Sequence, residues 1–254
     1  MKDSLRNIFV MVELELRRLR HDRTELYARA AQPILWLVVY GSVMAAVKAI
    51  PTGSTPYISY ITPGVLIQST AFVAIFFGLT IVWEKESGIL KKLLVTPTTR
   101  YAIVVGRAMA AGVRALFQII IIVPIAILLG VAFFPNPLYF LLALLAIFIS
   151  SIGFAGISIF AASLLKTRER FMGIGQIIIF PLFFASTALY PLSIMPAPIQ
   201  AFAVVNPMSY AVNAARGLMI TGDVSGVPMD FAALLLFDAI MLALASWSFK
   251  RIIE

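Results

Sequence analysis

Glu84, Lys85 and Glu86 stand together in an otherwise greasy chain of 254 residues, and Asp238 stands alone inside its last apolar run. Residues of these types do one of two things. They exchange protons beside a nucleophile, or they act as fixed charges that hold and move helices. Catalysis would need further members that the chain lacks. Gly156-Ile157-Ser158 has no closing glycine, so it is not a Gly-x-Ser-x-Gly nucleophile site, and the sole histidine, His21, lies in a basic stretch outside the apolar runs. The clustered His and Asp of a phosphatase or acyltransferase are missing. There is no cysteine, which excludes disulfides, thiolate metal sites and thiol nucleophiles. A phosphate-binding loop of the form G-x-x-x-x-G-K-[ST] is also missing, so this chain is not expected to hydrolyse ATP. The sequence therefore predicts no catalytic residue, no metal site and no cofactor bound by this chain.

The elements that position these charges belong to a membrane. Hydrophobic residues make up 61% of the chain and charged ones 13%, against about half and about a quarter in soluble domains. Six apolar runs are long enough, or nearly so, to cross the hydrocarbon core as helices: Ile34–Ile50, Tyr57–Trp83, Tyr101–Val131, Leu138–Leu165, Phe171–Tyr190 and Met229–Phe249. A crossing takes about 20 residues. Barrel strands would alternate over about ten residues, whereas these runs are apolar all round. The first run is short, which places its true start nearer Ala28.

Eighteen of the 20 Lys and Arg residues flank alternate ends of these runs, leaving Lys48 and Arg216 on the other side. The positive-inside rule then predicts that both termini are cytoplasmic, in agreement with an even number of crossings. That placement also argues against nucleic acid as the partner of the +8 net charge. In residues 1–29, Leu5, Phe9, Val12, Leu16 and Leu19 recur at helical spacing between charges, which predicts an amphipathic helix in the cytoplasmic interface. No internal repeat, linker or soluble domain is visible. The chain reads as a single transmembrane domain: 1–29 interfacial, 30–190 carrying spans one to five, 191–228 an outward segment, and 229–254 span six and the tail.

Between spans two and three, Ile89, Leu90, Leu93 and Leu94 fall on one helical face, with Lys91 and Lys92 opposite. Gly88 allows an abrupt turn off the preceding helix. Pro97 ends the helix and pushes Thr96 out of the helical region. A two-turn helix over 86–96 is marginal alone in water, so headgroups or a partner's groove must cover its stripe. Glu84 is placed to pair with Arg107 or Arg100. Arg107 and Arg114 share a face of span three and are expected to snorkel to the headgroups.

Pro191 to Pro228 holds two apolar pieces, Ile199–Val205 and Met208–Ile220, each too short to cross. They are expected to be half-helices dipping into the outer leaflet, with the break at Asn206-Pro207 covered by protein or water. Within the bilayer, Asp238 needs a partner. Arg216, Gln118 and Gln176 are the polar candidates. A protonated or hydrogen-bonded carboxyl that merely ties helices together is the alternative.

Two motifs carry a resemblance. Glu84-Lys85-Glu86-Ser87-Gly88 runs through Leu93-Leu94-Val95-Thr96-Pro97 to Arg100 and Gly106-Arg107, and Asn206-Pro207-Met208-Ser209-Tyr210-Ala211 is followed by Arg216-Gly217. With the order of elements, they resemble the permease subunits of ABC type-2 exporters, the class moving polysaccharides, teichoic-acid precursors, lipids and antibiotics. The resemblance implies an all-α membrane protein of six transmembrane helices. It adds a coupling helix after span two and re-entrant half-helices before span six. It implies that Glu84, Glu86, Gly88, Ile89, Leu90, Leu93, Leu94, Pro97 and Arg100 serve a cytoplasmic ATP-binding subunit, that ATP and Mg are held there, and that two copies of each chain make the working unit. Asn206, Pro207, Tyr210 and Arg216 would build the outer end of the path. An ion-driven carrier, or a membrane-embedded enzyme without an ATPase, are the rival readings.

Overall fold

The computed structural model describes residues 10, 13, 17, 31–48, 50–88, 100–165 and 167–249. Among them the chain is helical and contains no strand. The expected coupling residues Ile89, Leu90, Leu93, Leu94 and Pro97, and the side chain of Arg100, lie outside the described residues. So does most of the expected interfacial helix. Within it, Glu13 and Arg17 form an ion pair at i,i+4 spacing.

The helices are α1 (Ala31–Val47), α2 (Tyr57–Phe76), α3 (Gly78–Glu86), α4 (Arg100–Leu128), α5 (Pro137–Leu164), α6 (Arg168–Phe184), α7 (Ala197–Val205), α8 (Pro207–Arg216) and α9 (Val227–Ser248). Among the described residues, four spans are long and apolar enough to cross a membrane: α2 with α3, α4, α5 and α9. Two of the six expected crossings are shorter. α1 is a 17-residue apolar helix carrying a π-helical stretch at Trp36–Gly41, and α6 has 17 residues.

Three span ends differ from expectation for local reasons. α1 stops at Val47 rather than Ile50 because Lys48 adopts the left-handed conformation, with Pro51 just beyond. The third span stops at Leu128 rather than Val131, where Gly130 turns at positive φ. The fifth ends at Phe184, six residues before Tyr190, because its last carbonyls are captured by a side chain from further along the chain.

The core is organised around α2 and α5. α2 is apolar on all sides, and every residue but Ile58 and Phe72 is buried, as all-round hydrophobicity requires. α5 packs against α2, α4, α8 and α9. Its small residues permit this closeness. A side chain at Gly153 would run into Asp238 and Phe237, and one at Gly156 into Met241. Ser163 meets Ser248 two helix turns further on. These contacts advance in step, so α5 and α9 run parallel.

Candidate functional site

Two clusters of polar side chains stand out, one at each end of the bundle. The first is built by α3. Its last three residues point to three different helices. Arg107 Nη2 of α4 donates to Glu84 Oε2 at 2.5 Å. Lys85 Nζ donates to the Ser163 carbonyl near the end of α5 at 3.5 Å. Arg168 Nε at the start of α6 donates to Glu86 Oε2 at 2.7 Å. Consecutive residues on a helix are about 100° apart, so three in a row fan out rather than share a face. The end of α3 is thereby tied to α4, α5 and α6 at once. Immediately after it, Gly88 turns the chain at φ 74° into the segment that carries the apolar stripe.

The ties differ in strength. The Glu84 and Arg107 side chains are each 6% exposed, so Arg107 does not snorkel outward as its position near a span end suggests. It is held inside by the carboxylate. The Glu86–Arg168 pair is half exposed, and such pairs contribute about 0–1 kcal/mol. Arg168→Ala is therefore expected to shift folding stability by no more than about 1 kcal/mol, read as a small change in melting temperature of the purified chain.

The second cluster is built where α6 breaks off. Asn206 is buried, and its side chain makes three hydrogen bonds. Nδ2 donates to the carbonyls of Leu182 and Ala185, both at 2.8 Å, and Oδ1 accepts from Met208 N–H at 2.9 Å. One amide thus closes the end of α6 and caps the start of α8, where Pro207 takes the first helical position. Tyr210 donates across the break to the Val204 carbonyl at 2.7 Å. The non-helical run after α6 is buried against α2. Tyr57 donates to the Leu189 carbonyl, and the backbone of Ala188 lies so close to Gly64 that no Cβ would fit there. Irregular backbone at membrane depth survives only when covered in this way.

Arg216 completes the cluster. Its Nη2 donates to the Thr187 carbonyl at 2.6 Å, its Nε to the Tyr60 carbonyl at 3.2 Å, and its guanidinium lies 3.8 Å from the Tyr60 ring centre. Ring and carbonyl dipoles stabilise the cation in place of a carboxylate. Beside it opens a cavity of ≈ 240 Å³, also lined by Asn213, Thr221, Asp223 and Asp230. On the loop at its rim, the N–H of Ser225 holds the Asp223 carboxyl below its ordinary value.

The intramembrane expectations need correction. Asp238 meets neither Arg216 nor a glutamine amide. Its Oδ1 lies against Gly153 of α5. Gln118 is fully buried in α4, and neither of its amide atoms is hydrogen-bonded. Gln176 is exposed on α6. The residues that sequence reasoning passed over are Tyr60, Gly64, Ser158 and Thr187. Thr187 had a signal, since Ser186-Thr187 is a polar pair inside an apolar run.

Comparison with known proteins covers both clusters. The profile of the ABC-2 type transporter family matches residues 6–220. The ycf38 transport permease of Cyanophora paradoxa is 28% identical over 216 residues, 84% of this chain and 74% of that one. The daunorubicin resistance ABC transporter permease protein DrrB1 of Streptomyces coeruleorubidus is 25% identical over 202 residues, 79% of this chain and 70% of its own. Nodulation protein J of Sinorhizobium fredii is 24% identical over 209 residues, 82% and 78% of the two chains.

Proposed function

The chain belongs to the ABC-2 type transporter family and is a membrane permease subunit, and from that premise we propose that it couples to a separate cytoplasmic ATPase to export a hydrophobic, lipid-linked or drug-like substrate. The observation that carries this reading is the fan of Glu84, Lys85 and Glu86. A push delivered to the segment after Gly88 reaches α4, α5 and α6 through three side chains at once. The apolar stripe of Ile89, Leu90, Leu93 and Leu94 suits a groove on a partner. ATP and Mg are held by that partner. Two copies of this chain and two of the ATPase form the working unit, with substrate passing between the permeases.

The proposed setting is the plasma membrane, crossed six times with both termini cytoplasmic. The one-sided distribution of Lys and Arg supports it. The substrate class is supported by the apolar character of the spans, and by the drug-resistance permease among the relatives. Outward direction rests on the likeness to exporters.

The test is docking. Leu93→Asp or Leu94→Asp places a charge in the stripe and is expected to abolish co-purification of the ATPase while membrane insertion continues. Retention of the ATPase by both variants would remove the coupling assignment. The ATPase-free alternatives, an ion-driven carrier or a membrane-embedded enzyme, have no comparable support among the described residues, since Asp238 stands without a relay of further acids.

A further inference from the structure

Span two is one apolar run in the sequence and two helices in the fold. α2 ends at Phe76, α3 starts at Gly78, and Phe77 turns between them. A continuous helix would join the Gly78 N–H to the Ala74 carbonyl. Here a side chain from α5 is inserted instead. Gly78 N–H donates to Ser158 Oγ at 2.8 Å, and the same hydroxyl donates to the Ile75 carbonyl. On either side the backbone bonds resume, from Phe77 N–H to Val73 and from Thr80 N–H to Phe77. Ser158, Ile75 and Phe77 are all buried, so water is not at hand to serve the freed N–H. A hydroxyl both accepts and donates, so one side chain takes the Gly78 N–H and also reaches the Ile75 carbonyl.

The surroundings fit a joint. Gly78 has no room for a side chain, because a Cβ would strike Ser158 Oγ and the Phe171 ring. Phe171 lies one turn after Arg168, whose guanidinium holds Glu86 at the far end of α3. The inner end of α6 therefore grips α3 at both ends. Gly175, a turn further along α6, lies against Phe76 and Ile75 on the other side of the break.

We propose that Phe77–Gly78 is a hinge in span two, bridged by Ser158, about which α3 tilts as one piece when the cytoplasmic segment after Gly88 is moved. Breaks of this kind occur where a side chain enters the helical ladder. The Gly78 N–H stays bonded to a rotatable hydroxyl, so α3 changes its angle to α2 without stranding that buried donor. Ser158 is a positioning residue, acting through α3. The inference rests on the permease reading, because the ATPase supplies the motion.

The chain has no cysteine, so S54C and S87C introduce its only thiols. Ser54 lies in the outer loop before α2, Ser87 lies at the inner end of α3, and both are exposed. Spin labels on this pair would be measured by pulsed dipolar spectroscopy in the permease–ATPase complex, in nanodiscs with a cysteine-free ATPase. The complex would be compared without nucleotide and trapped with ATP and vanadate. The expected result is a nucleotide-dependent shift in the Ser54–Ser87 distance that Ser158→Ala suppresses. In that variant ATP hydrolysis continues, while transport per ATP falls about tenfold or more, the scale set by one buried backbone N–H losing its partner. Ser158→Thr keeps the hydroxyl and is expected to restore the shift.

An unmoved distance, with a control pair across the permease–ATPase contact that does move, overturns the hinge and leaves the coupling standing. Normal transport by Ser158→Ala does the same. If the unsubstituted chain binds no ATPase, the coupling falls and the hinge with it. Should Ser158→Ala fail to assemble, the distance change in the unsubstituted background still decides.

Discussion

Arg107→Leu is expected to lower the stability of the purified chain by about 3–5 kcal/mol, because it takes the nearest counter-ion from a buried carboxylate. Glu84→Leu should cost a similar amount by stranding Arg107. The two side chains are each 6% exposed and 2.5 Å apart, so neither can turn to water without moving a helix. The double substitution behaves differently. Removing both charges removes both desolvation penalties, and two leucines fill much the same space. Buried pairs exchanged for apolar side chains commonly leave stability unchanged or raised.

The Glu84→Leu, Arg107→Leu chain should therefore melt near the temperature of the unsubstituted chain, while each single variant melts well below it. Transport separates structure from transmission. If the pair carries motion from α3 to α4, the double variant folds, binds the ATPase and hydrolyses ATP, yet its transport per ATP stays low. Full transport by the stable double variant would reduce the pair to a structural tie and leave Lys85 and Glu86 as the working contacts.

What could be read from the sequence divides along a physical line. Helices, membrane class and the inner charges follow from composition and from features close in the chain. Glu84 and Arg107 sit at facing ends of successive apolar runs, so their meeting needs only that the runs be antiparallel neighbours. Other features are decided by residues far away. Ile75-Phe76-Phe77-Gly78-Leu79 looks like uninterrupted span, with the glycine as the lone hint, and the hydroxyl that opens the ladder is 80 residues further on. The early stop of α6 is likewise set by an amide 21 to 24 residues downstream, whereas counting apolar residues carried the span on to Tyr190.

Asp238 and Arg216 illustrate a second limit. Charge sign made Arg216 one candidate partner for Asp238, beside a carboxyl that merely ties helices together. The fold instead sets the carboxyl against a glycine backbone and the guanidinium against a tyrosine ring and two carbonyls. Neutral dipoles at close range can serve a buried charge as well as an opposite one, and sequence gives no sign of where those dipoles will be. Between these extremes, Asn206, Pro207, Tyr210 and Arg216 share one cluster with the end of α6, a grouping whose proline break was visible while its partners were not.

Asn206→Leu should be the other severe substitution, with a loss of about 3–5 kcal/mol. Leucine keeps the branching of asparagine with more bulk, so some overpacking adds to the effect. The main part comes from orphaning the carbonyls of Leu182 and Ala185 and the N–H of Met208 in a site only 1% exposed. Asn206→Ser keeps an acceptor that can cap Met208 but has no donors for the two carbonyls, and it should fall in between. Asn206→Asp is the sharper control, because it preserves size and cap acceptor alike. Its second oxygen would face two carbonyl oxygens where the amide now donates, so it should be no better than leucine when ionised. Melting temperatures of the three variants would rank them. Near-normal stability of Asn206→Asp would mean that the amide nitrogen does not hold the end of α6. The order Asn, then Ser, then Leu and Asp would mean that this single amide docks α7 and α8 onto the end of α6.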